Sequence, residues 1–457
     1  MRTIFWVALF NASLTLAPVQ TSLAGVGSMD ASFNPPHPQG WVYSSVVQPD
    51  GRILIAGDFT QVDGTNRVGV ARLLPNGHVD PTFNPGTGPN AKVSSVALQA
   101  DGKVLLTGSF TQIAGTARNL YARLNSDGSL DTSYAAAQPV IASGEGRQII
   151  ALADGRALLV GPSTIYFSFS PLTSRAYFMR LNTNGTCDTT FPNLPAATAG
   201  MFAGAVTPSG KYLVGGLFNT TDGSARTNLM QVNTHGVVDP TFPAASVMSP
   251  LTIGFVRTLH PLPDGRIVVN YGNGLGTNWL LRLQADGTTD PSFTSPSADS
   301  AILAAAVQPD GKVWIGGDFL AVNDQQRLKV ARLNANGTLD STYDPGSGTG
   351  TSVLAVTLQP DGKVLLGGAF NGYNGYFYGT FVRLLGDLTA NQPHLVGGTF
   401  TVTAYTVVGK TYTLQYKNAL SDPNWTSLPA VSGNGSEMTL TDPSATTTAR
   451  SYRIVEN

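Results

Sequence analysis

Read as alternating apolar and polar positions, the chain is a succession of short β-strands. Val93-Ser94-Ser95-Val96-Ala97-Leu98 and Val104-Leu105-Leu106-Thr107-Gly108 flank the turn Gln99-Ala100-Asp101-Gly102-Lys103. Period-two alternation bounded by turn residues predicts a β-hairpin. The same signature recurs at Gln48-Pro49-Asp50-Gly51-Arg52, Ala153-Asp154-Gly155-Arg156, Pro208-Ser209-Gly210-Lys211, Pro263-Asp264-Gly265-Arg266, Gln308-Pro309-Asp310-Gly311-Lys312 and Gln359-Pro360-Asp361-Gly362-Lys363. Proline at the second turn position with glycine at the fourth suits a type I turn closed by a left-handed glycine bulge.

A second hairpin follows each first one. It reads Ala71-Arg72-Leu73-Leu74-Pro75-Asn76-Gly77-His78-Val79-Asp80 in the first unit and Ala331-Arg332-Leu333-Asn334-Ala335-Asn336-Gly337-Thr338-Leu339-Asp340 in the sixth. Each copy ends in a hydroxyl residue and an aromatic, such as Thr82-Phe83 or Thr342-Tyr343. Two hairpins in a fixed period make a four-stranded unit, the blade of a propeller. The chain ends fix the number of blades. The seventh unit reaches Phe381-Val382-Arg383-Leu384 and then lacks its fourth strand, while Gly27-Ser28-Met29-Asp30-Ala31-Ser32-Phe33 supplies that strand at the other end. An N-terminal strand that completes the last blade closes a ring and leaves no raw sheet edge. The expected fold is therefore all-β: a seven-bladed propeller of four-stranded blades over residues 25–388.

A three-residue loop in the second hairpin sets its register. Arg72 then faces Asp80, Arg123 faces Asp131, Arg180 faces Asp188, Arg282 faces Asp290 and Arg332 faces Asp340, with Gln231 opposite Asp239. Arg383 has no aspartate at the matching downstream position, so its partner is expected to be Asp30. Opposite charges across a sheet act as structural staples.

After about Asn391 the period stops. Phe400-Thr401-Val402-Thr403-Ala404, Thr411-Tyr412-Thr413-Leu414-Gln415-Tyr416 and Tyr452-Arg453-Ile454-Val455 alternate as strands, predicting a small β-sandwich over residues 391–457. At the other end, Arg2, the apolar run Ile4 to Phe10 and the small residues Ser22-Leu23-Ala24 read as a secretory signal cleaved after Ala24. Residues 1–24 are therefore expected to be removed and the protein secreted or surface-borne, with no later membrane span.

Composition agrees with many short strands and Gly/Pro turns: 51 glycines, 29 prolines and only 12% charged residues. A net charge of −1 leaves no basic stripe for nucleic acid. Cys187 is the only cysteine and replaces Leu130, Val238 and Leu339 of other repeats, so it reads as a small buried apolar residue.

The paired motif, Pro-Asp-Gly-Lys-x-Leu-x-Gly-Gly-x-Phe followed by Val-Ala-Arg-Leu-Asn-x-Asn-Gly-x-Leu-Asp-x-Thr-Phe, resembles the delta-60 repeat family of bacterial propellers over roughly residues 27–386. Blades three and five depart from it at Gly161-Pro162 and Asn270-Tyr271-Gly272. The resemblance implies the fold and an envelope or surface habitat, and it carries no catalytic residues. The tail resembles C-terminal β-modules of secreted bacterial repeat proteins.

Candidate chemistry is sparse. Each repeated aspartate stands alone beside a turn glycine, which is turn chemistry and not the multi-oxygen spacing of a calcium loop. His37, His78, His235, His260 and His394 show no metal-ligand spacing, so neither metal nor cofactor is expected. Glu145, Asp299 and Asp324 stand outside the repeated acidic positions. Binding belongs on variable loops. The candidates are Tyr166 and Phe167 in blade three, Trp279 in blade five, and Tyr376 and Tyr378 in blade seven, which either stack on a ligand or pack over the blade tops. The expected function is a non-enzymatic monomeric binding or scaffolding module for an extracellular glycan or protein. The alternative is a carbohydrate-active enzyme, which needs paired acids about 5 to 10 Å apart at a channel mouth.

Overall fold

The computed structural model describes residues 3–4, 7–10, 13–15, 27–30, 32–34, 36–135, 145–166, 174–192, 194, 200–219, 227–242, 254–272, 278–377, 379–386, 390–396, 398–405, 411–418, 422–433, 437–445 and 450–456. Every regular element among them is a β-strand, and no helix is long and apolar enough to cross a membrane. The chain divides into two compact units, one of Met29–Leu358 with Val364–Arg383 and one of Met1–Ser28, Gln359–Lys363 and Leu384–Asn457.

The larger unit is a seven-bladed β-propeller. Each repeat forms an antiparallel sheet whose inner strand pairs with a second strand and that with a third. The inner strands are Val42–Val47, Val93–Leu98, Gln148–Ala151, Gly200–Val206, Phe255–Pro261, Ile302–Val307 and Val353–Leu358. The expected fourth strand is shorter than the pattern suggests. It contributes one bridge in each of blades one to six, such as Leu73 with Val79 and Leu124 with Leu130. The reason lies in the residues that follow. Asp80 Oδ1 accepts from the Thr82 backbone N–H at 2.9 Å and from the Thr82 hydroxyl at 2.6 Å, and this local turn pulls the backbone off the ladder. Cys187 bridges Leu181 at the corresponding place and is half-buried, because a strand this short lies at the outer rim.

The repeated motif is explained by one buried constellation. Nε of Arg72, Arg123, Arg282 and Arg332 donates to the facing aspartate at 2.7, 2.9, 2.6 and 2.8 Å, as does Arg180 to Asp188 at 2.8 Å. The guanidinium also lies over the aromatic that closes the motif, 4.9 Å from the Phe83 centroid in blade one and 4.2 Å from Tyr134 in blade two. Its free end reaches the next blade: Arg72 Nη1 donates to Ser126 O at 2.6 Å and Arg123 Nη1 to Thr183 O at 2.9 Å. Thus one arginine pins its own hairpin and its neighbour's. Asp80, Asp131, Asp188, Asp290 and Asp340 each meet a second cation from the first hairpin, Lys103 in blade two at 2.8 Å. In blade four, where Gln231 replaces arginine, Lys211 Nζ sits 2.6 Å from Asp239.

The ring is closed by the same device. Arg383 Nε donates to Asp30 Oδ2 at 2.8 Å, its Nη1 to Pro75 O at 2.7 Å, and its guanidinium lies 4.4 Å from the Phe33 centroid. Asp30 N donates to Arg383 O at 3.0 Å, so the N-terminal segment occupies the fourth-strand position of blade seven. Apolar residues fill the seams between blades. Phe33, Leu365 and Phe381 of blade seven share one core with Val42, Ile53, Ile55 and Phe59 of blade one. Glycine is required at the hairpin tips: Gly77 has φ +93°, and a Cβ there would lie 2.0 Å from Asn34 O.

In the smaller unit, the sheet of Ala390–Val396, Thr399–Tyr405 and Glu437–Asp442 and the sheet around Thr411–Lys417 and Ser451–Glu456 share one core of Phe400, Val402, Tyr412, Leu414, Leu440, Tyr452 and Ile454. Phe400 stacks on Tyr452 at 3.8 Å. Buried Asp442 accepts from Arg450 at 2.8 Å and Tyr452 at 2.9 Å. Thr3–Ile4 and Val7–Phe10 pair with Ser451–Glu456, while the expected cleavage site at Ser22–Ala24 lies outside the described residues.

Two outcomes follow. Asp30→Ala strands a buried guanidinium and is expected to lower unfolding stability by about 3–5 kcal/mol. Denaturant melts checked against the wild type decide it, and an unchanged midpoint removes the clasp. The second concerns acid. Burial pushes the Asp188 carboxyl up, but the Thr190 hydroxyl and Arg180 outweigh it and hold it at about 2. Lys211 and then Thr241 hold Asp239 at about 2. A carboxyl depressed in the folded state contributes stability that is complete above its unfolded value, about 4, and is lost as pH falls. Fluorescence of buried Trp314 should therefore report stability steady above about pH 5 and falling from pH 4 towards 2. A stability loss centred near neutral pH would exclude the aspartates as its source.

Candidate functional site

Six of the seven inner strands carry a β-bulge at the same point. In blade one Val42 opposes Gly57 and Ser44 opposes Ala56, leaving Tyr43 as the extra residue. The same shift leaves out Ser94, Phe202, Arg257, Leu303 and Leu354 in blades two, four, five, six and seven. In blade three Arg147 holds the matching place, immediately before Gln148 pairs with Val160. A bulge re-aims its extra side chain out of the ladder. All seven of these side chains line a single cavity of about 700 Å³ in the channel. The ring thus keeps one backbone position and varies the chemistry around it: a phenol, a hydroxyl, two guanidiniums, a phenyl and two isobutyl groups.

Below this ring the channel wall is small and hydroxylated, and its polar groups tie neighbouring blades together. Ser44 Oγ accepts from Val96 N at 3.3 Å, Ser95 Oγ from Ile149 N at 3.3 Å and Gln148 Oε1 from Gly204 N at 2.8 Å. Ser45 and Thr357 hydroxyls meet at 2.7 Å.

The mouth is charged on one side. Glu145 Oε1 accepts from Lys92 Nζ at 2.6 Å and from the Ser94 hydroxyl at 2.8 Å. Burial pushes this carboxyl up, and Lys92 and Ser94 more than offset it, so it is held below the usual range. Tyr43 donates to Asp58 Oδ2 at 2.9 Å. Burial and then Asp58 push the Tyr43 phenol up, so it stays protonated. Arg147 and Arg257 lie over Phe202 and Phe255, 5.1 and 4.5 Å from the ring centroids, and the two rings meet edge to face at 5.4 Å. Burial, followed by repulsion from Arg147, lowers the Arg257 guanidinium, with Asp318 acting in the opposite sense.

Trp279 and Tyr376, singled out from the sequence, are placed elsewhere. Tyr376 is exposed on a tight turn where Asn374 and Gly375 have φ +50° and +82°. That turn is the regular connection of a blade, matched at Asp63-Gly64 in blade one and Ala114-Gly115 in blade two. Its neighbour Phe377 is 81% exposed, whereas Tyr373 is buried and meets the Tyr343 hydroxyl at 3.1 Å. Trp279 is half-buried and packs against Tyr271, with ring centroids 6.1 Å apart, as part of the blade-five core. Tyr166 ends a strand opposite Ser174, and Phe167 and Tyr378 lie outside the described residues. Neither Trp279 nor Tyr376 lines the channel cavity. The ring was missed because a bulge leaves no composition signal. Its one trace is the variable residue in the repeated Val-x-Ser or Ile-x-Ala start of the inner strand, as in Val42-Tyr43-Ser44, Val93-Ser94-Ser95 and Ile302-Leu303-Ala304. Among the described residues no group of three or more His, Cys, Asp or Glu side chains could hold a metal ion.

Seven blades built from one motif and a variable ring at the channel mouth define a repeat propeller. The chain belongs to the family described as "Domain of unknown function (DUF5122) beta-propeller", whose model matches residues 48–83, 99–134, 172–191, 207–242, 262–293, 308–343 and 359–391. No curated protein matches the sequence. Among solved structures, the chain is similar to an exo-beta-1,3-galactanase from Phanerochaete chrysosporium at 12% identity and TM-score 0.29, covering 99% of this chain and 96% of that one. It is also similar to a sucrose-6-phosphate hydrolase from Lactobacillus gasseri at 11% identity and TM-score 0.31, covering 93% and 92%. Superpositions this loose carry no argument about activity.

Proposed function

We propose that this protein is an exported, non-enzymatic binding module whose ligand, a glycan, seats at the mouth of the propeller channel. The observation that carries the reading is the ring of bulged residues: seven side chains of differing chemistry held at one backbone position. Binding surfaces vary where a rigid scaffold does not feel the change, and this position is outside the ladder. The cavity volume is that of a small-molecule site. Export rests on the N-terminal segment, which we propose is removed after Ala24.

The rival reading is a carbohydrate-active enzyme. Glu145 and Asp58 both act on Tyr43, so two acids flank the mouth. Against hydrolysis, Glu145 is engaged by Lys92 and Ser94 and held ionised, the opposite of a general acid, whose proton must be retained near neutral pH.

A soluble polysaccharide panel, read by affinity electrophoresis and by release of reducing sugar, separates the two. Ser94→Trp fills the mouth from a small ring position and is expected to abolish binding with an unchanged melting curve. Undiminished binding places the ligand elsewhere, and sugar release by the wild type establishes the enzyme.

A further inference from the structure

Blade five breaks the pattern of the channel wall. Where its inner strand has His260, blades one to four and six carry Val46, Ala97, Ile150, Ala205 and Ala306, and blade seven carries Thr357, so only blade five has a titratable group there. Three polar atoms of this strand, Arg257 Nε, Thr258 Oγ1 and His260 Nε2, are out of reach of solvent and make no hydrogen bond among the described residues. All three residues line the channel cavity. Burying polar groups without partners costs free energy, and such groups mark places where a partner is missing. Burial pushes the His260 imidazole down to about 4, so at neutral pH it offers an uncharged ring nitrogen.

The charges of the same cavity point to the partner. Its lining carries Lys92, Arg147 and Arg257 against one carboxylate, Glu145. Glu145 is occupied by Lys92 and is stabilised only secondarily by Arg147. Arg147 and Arg257 repel each other, with Asp318 as the acid that favours the charged Arg257 and Asp318 itself bonded to the Ser352 hydroxyl. Each guanidinium lies over a phenyl ring, and the planar fork of N–H donors it carries suits a planar anion.

Resting on the reading that a glycan seats at the channel mouth, we propose that the ligand is an acidic saccharide whose sugar carboxylate is gripped by Arg147 and Arg257. Two neighbouring guanidiniums match a carboxylate through paired N–H donors. The hydroxylated wall formed by Ser45, Ser95 and Thr357 matches a sugar better than an apolar side chain.

Calorimetric titration of the full chain with oligogalacturonate, neutral oligogalactose and a poly-glutamate peptide tests the assignment. The uronate should bind at least about tenfold tighter than the neutral sugar, the worth of one charge-assisted hydrogen bond. Arg257→Ala and Arg147→Ala should each remove that advantage. Arg257→Lys should restore it only partly, because a point charge lacks the planar fork. Arg147 is exposed, so its variant keeps the test intact where Arg257→Ala fails to fold. Equal affinity for uronate and neutral sugar, both blocked by Ser94→Trp, overturns the acidic assignment and leaves the channel site standing. Binding that ignores Ser94→Trp and both arginine variants overturns the channel site itself. Tighter binding of poly-glutamate than of uronate overturns the saccharide.

Discussion

The propeller depends on a buried ion pair repeated around the ring. Burying a charge is unfavourable unless it is paired and its remaining hydrogen bonds are satisfied. Here the arginine meets an aspartate with Nε, a neighbouring carbonyl with Nη1 and an aromatic face with its plane, so little of it is left without a partner. The aspartate in turn takes a hydroxyl and a backbone N–H from its own turn. A guanidinium this fully engaged dictates the register of the hairpin, the angle of the closing aromatic and the spacing to the next blade. Adjacent blades cannot slide past one another without uncoupling it.

Most of this architecture could be read from residue order. The two turn motifs gave the strand count, and the offset between chain ends gave the closure through Asp30 and Arg383. The arithmetic of a three-residue loop placed Arg72 opposite Asp80, and Asp80 N bonds Arg72 O at 2.8 Å. Less legible was the length of the fourth strand, because Asp80 and Thr82 look equally suited to a strand or to a local turn. The channel mouth was legible only as a variable residue at the repeated start of the inner strand. Whether Tyr43 or Arg257 points into a sheet or out of it depends on a one-residue slip in pairing, and alternation alone cannot register such a slip. The aromatic loop residues drew attention because they stand out by type, yet Trp279 stands out for a packing reason: it lies on Tyr271.

The staples and the proposed recognition ring therefore use different strands of each blade. Arginine staples, apolar seams and glycine tips lie toward the third strand and the second hairpin, where every repeat is nearly alike. The bulge lies at the start of the inner strand, where the repeats differ most. Blade four shows how much change the first set tolerates, since Lys211 keeps Asp239 paired although Gln231 has replaced the arginine. Blade five shows the second set at its most individual, with Arg257, Thr258 and His260 in one strand.

The closing contact joins residues separated by 353 positions. Contacts between distant parts of a chain form late, because the loop entropy is spent before any contact returns it. A chain made from its N-terminus exposes the Met29–Phe33 segment first and can dock it only when blade seven exists. Until then, blade one presents an open seam of Val42, Ile53 and Phe59, which the finished ring covers with Phe33, Leu365 and Phe381. Completion is thus all-or-none for the last strand, and a nascent ring halted short of Arg383 is a sticky, unfinished object whose N-terminal strand is free to dock into a neighbour's seam instead of its own.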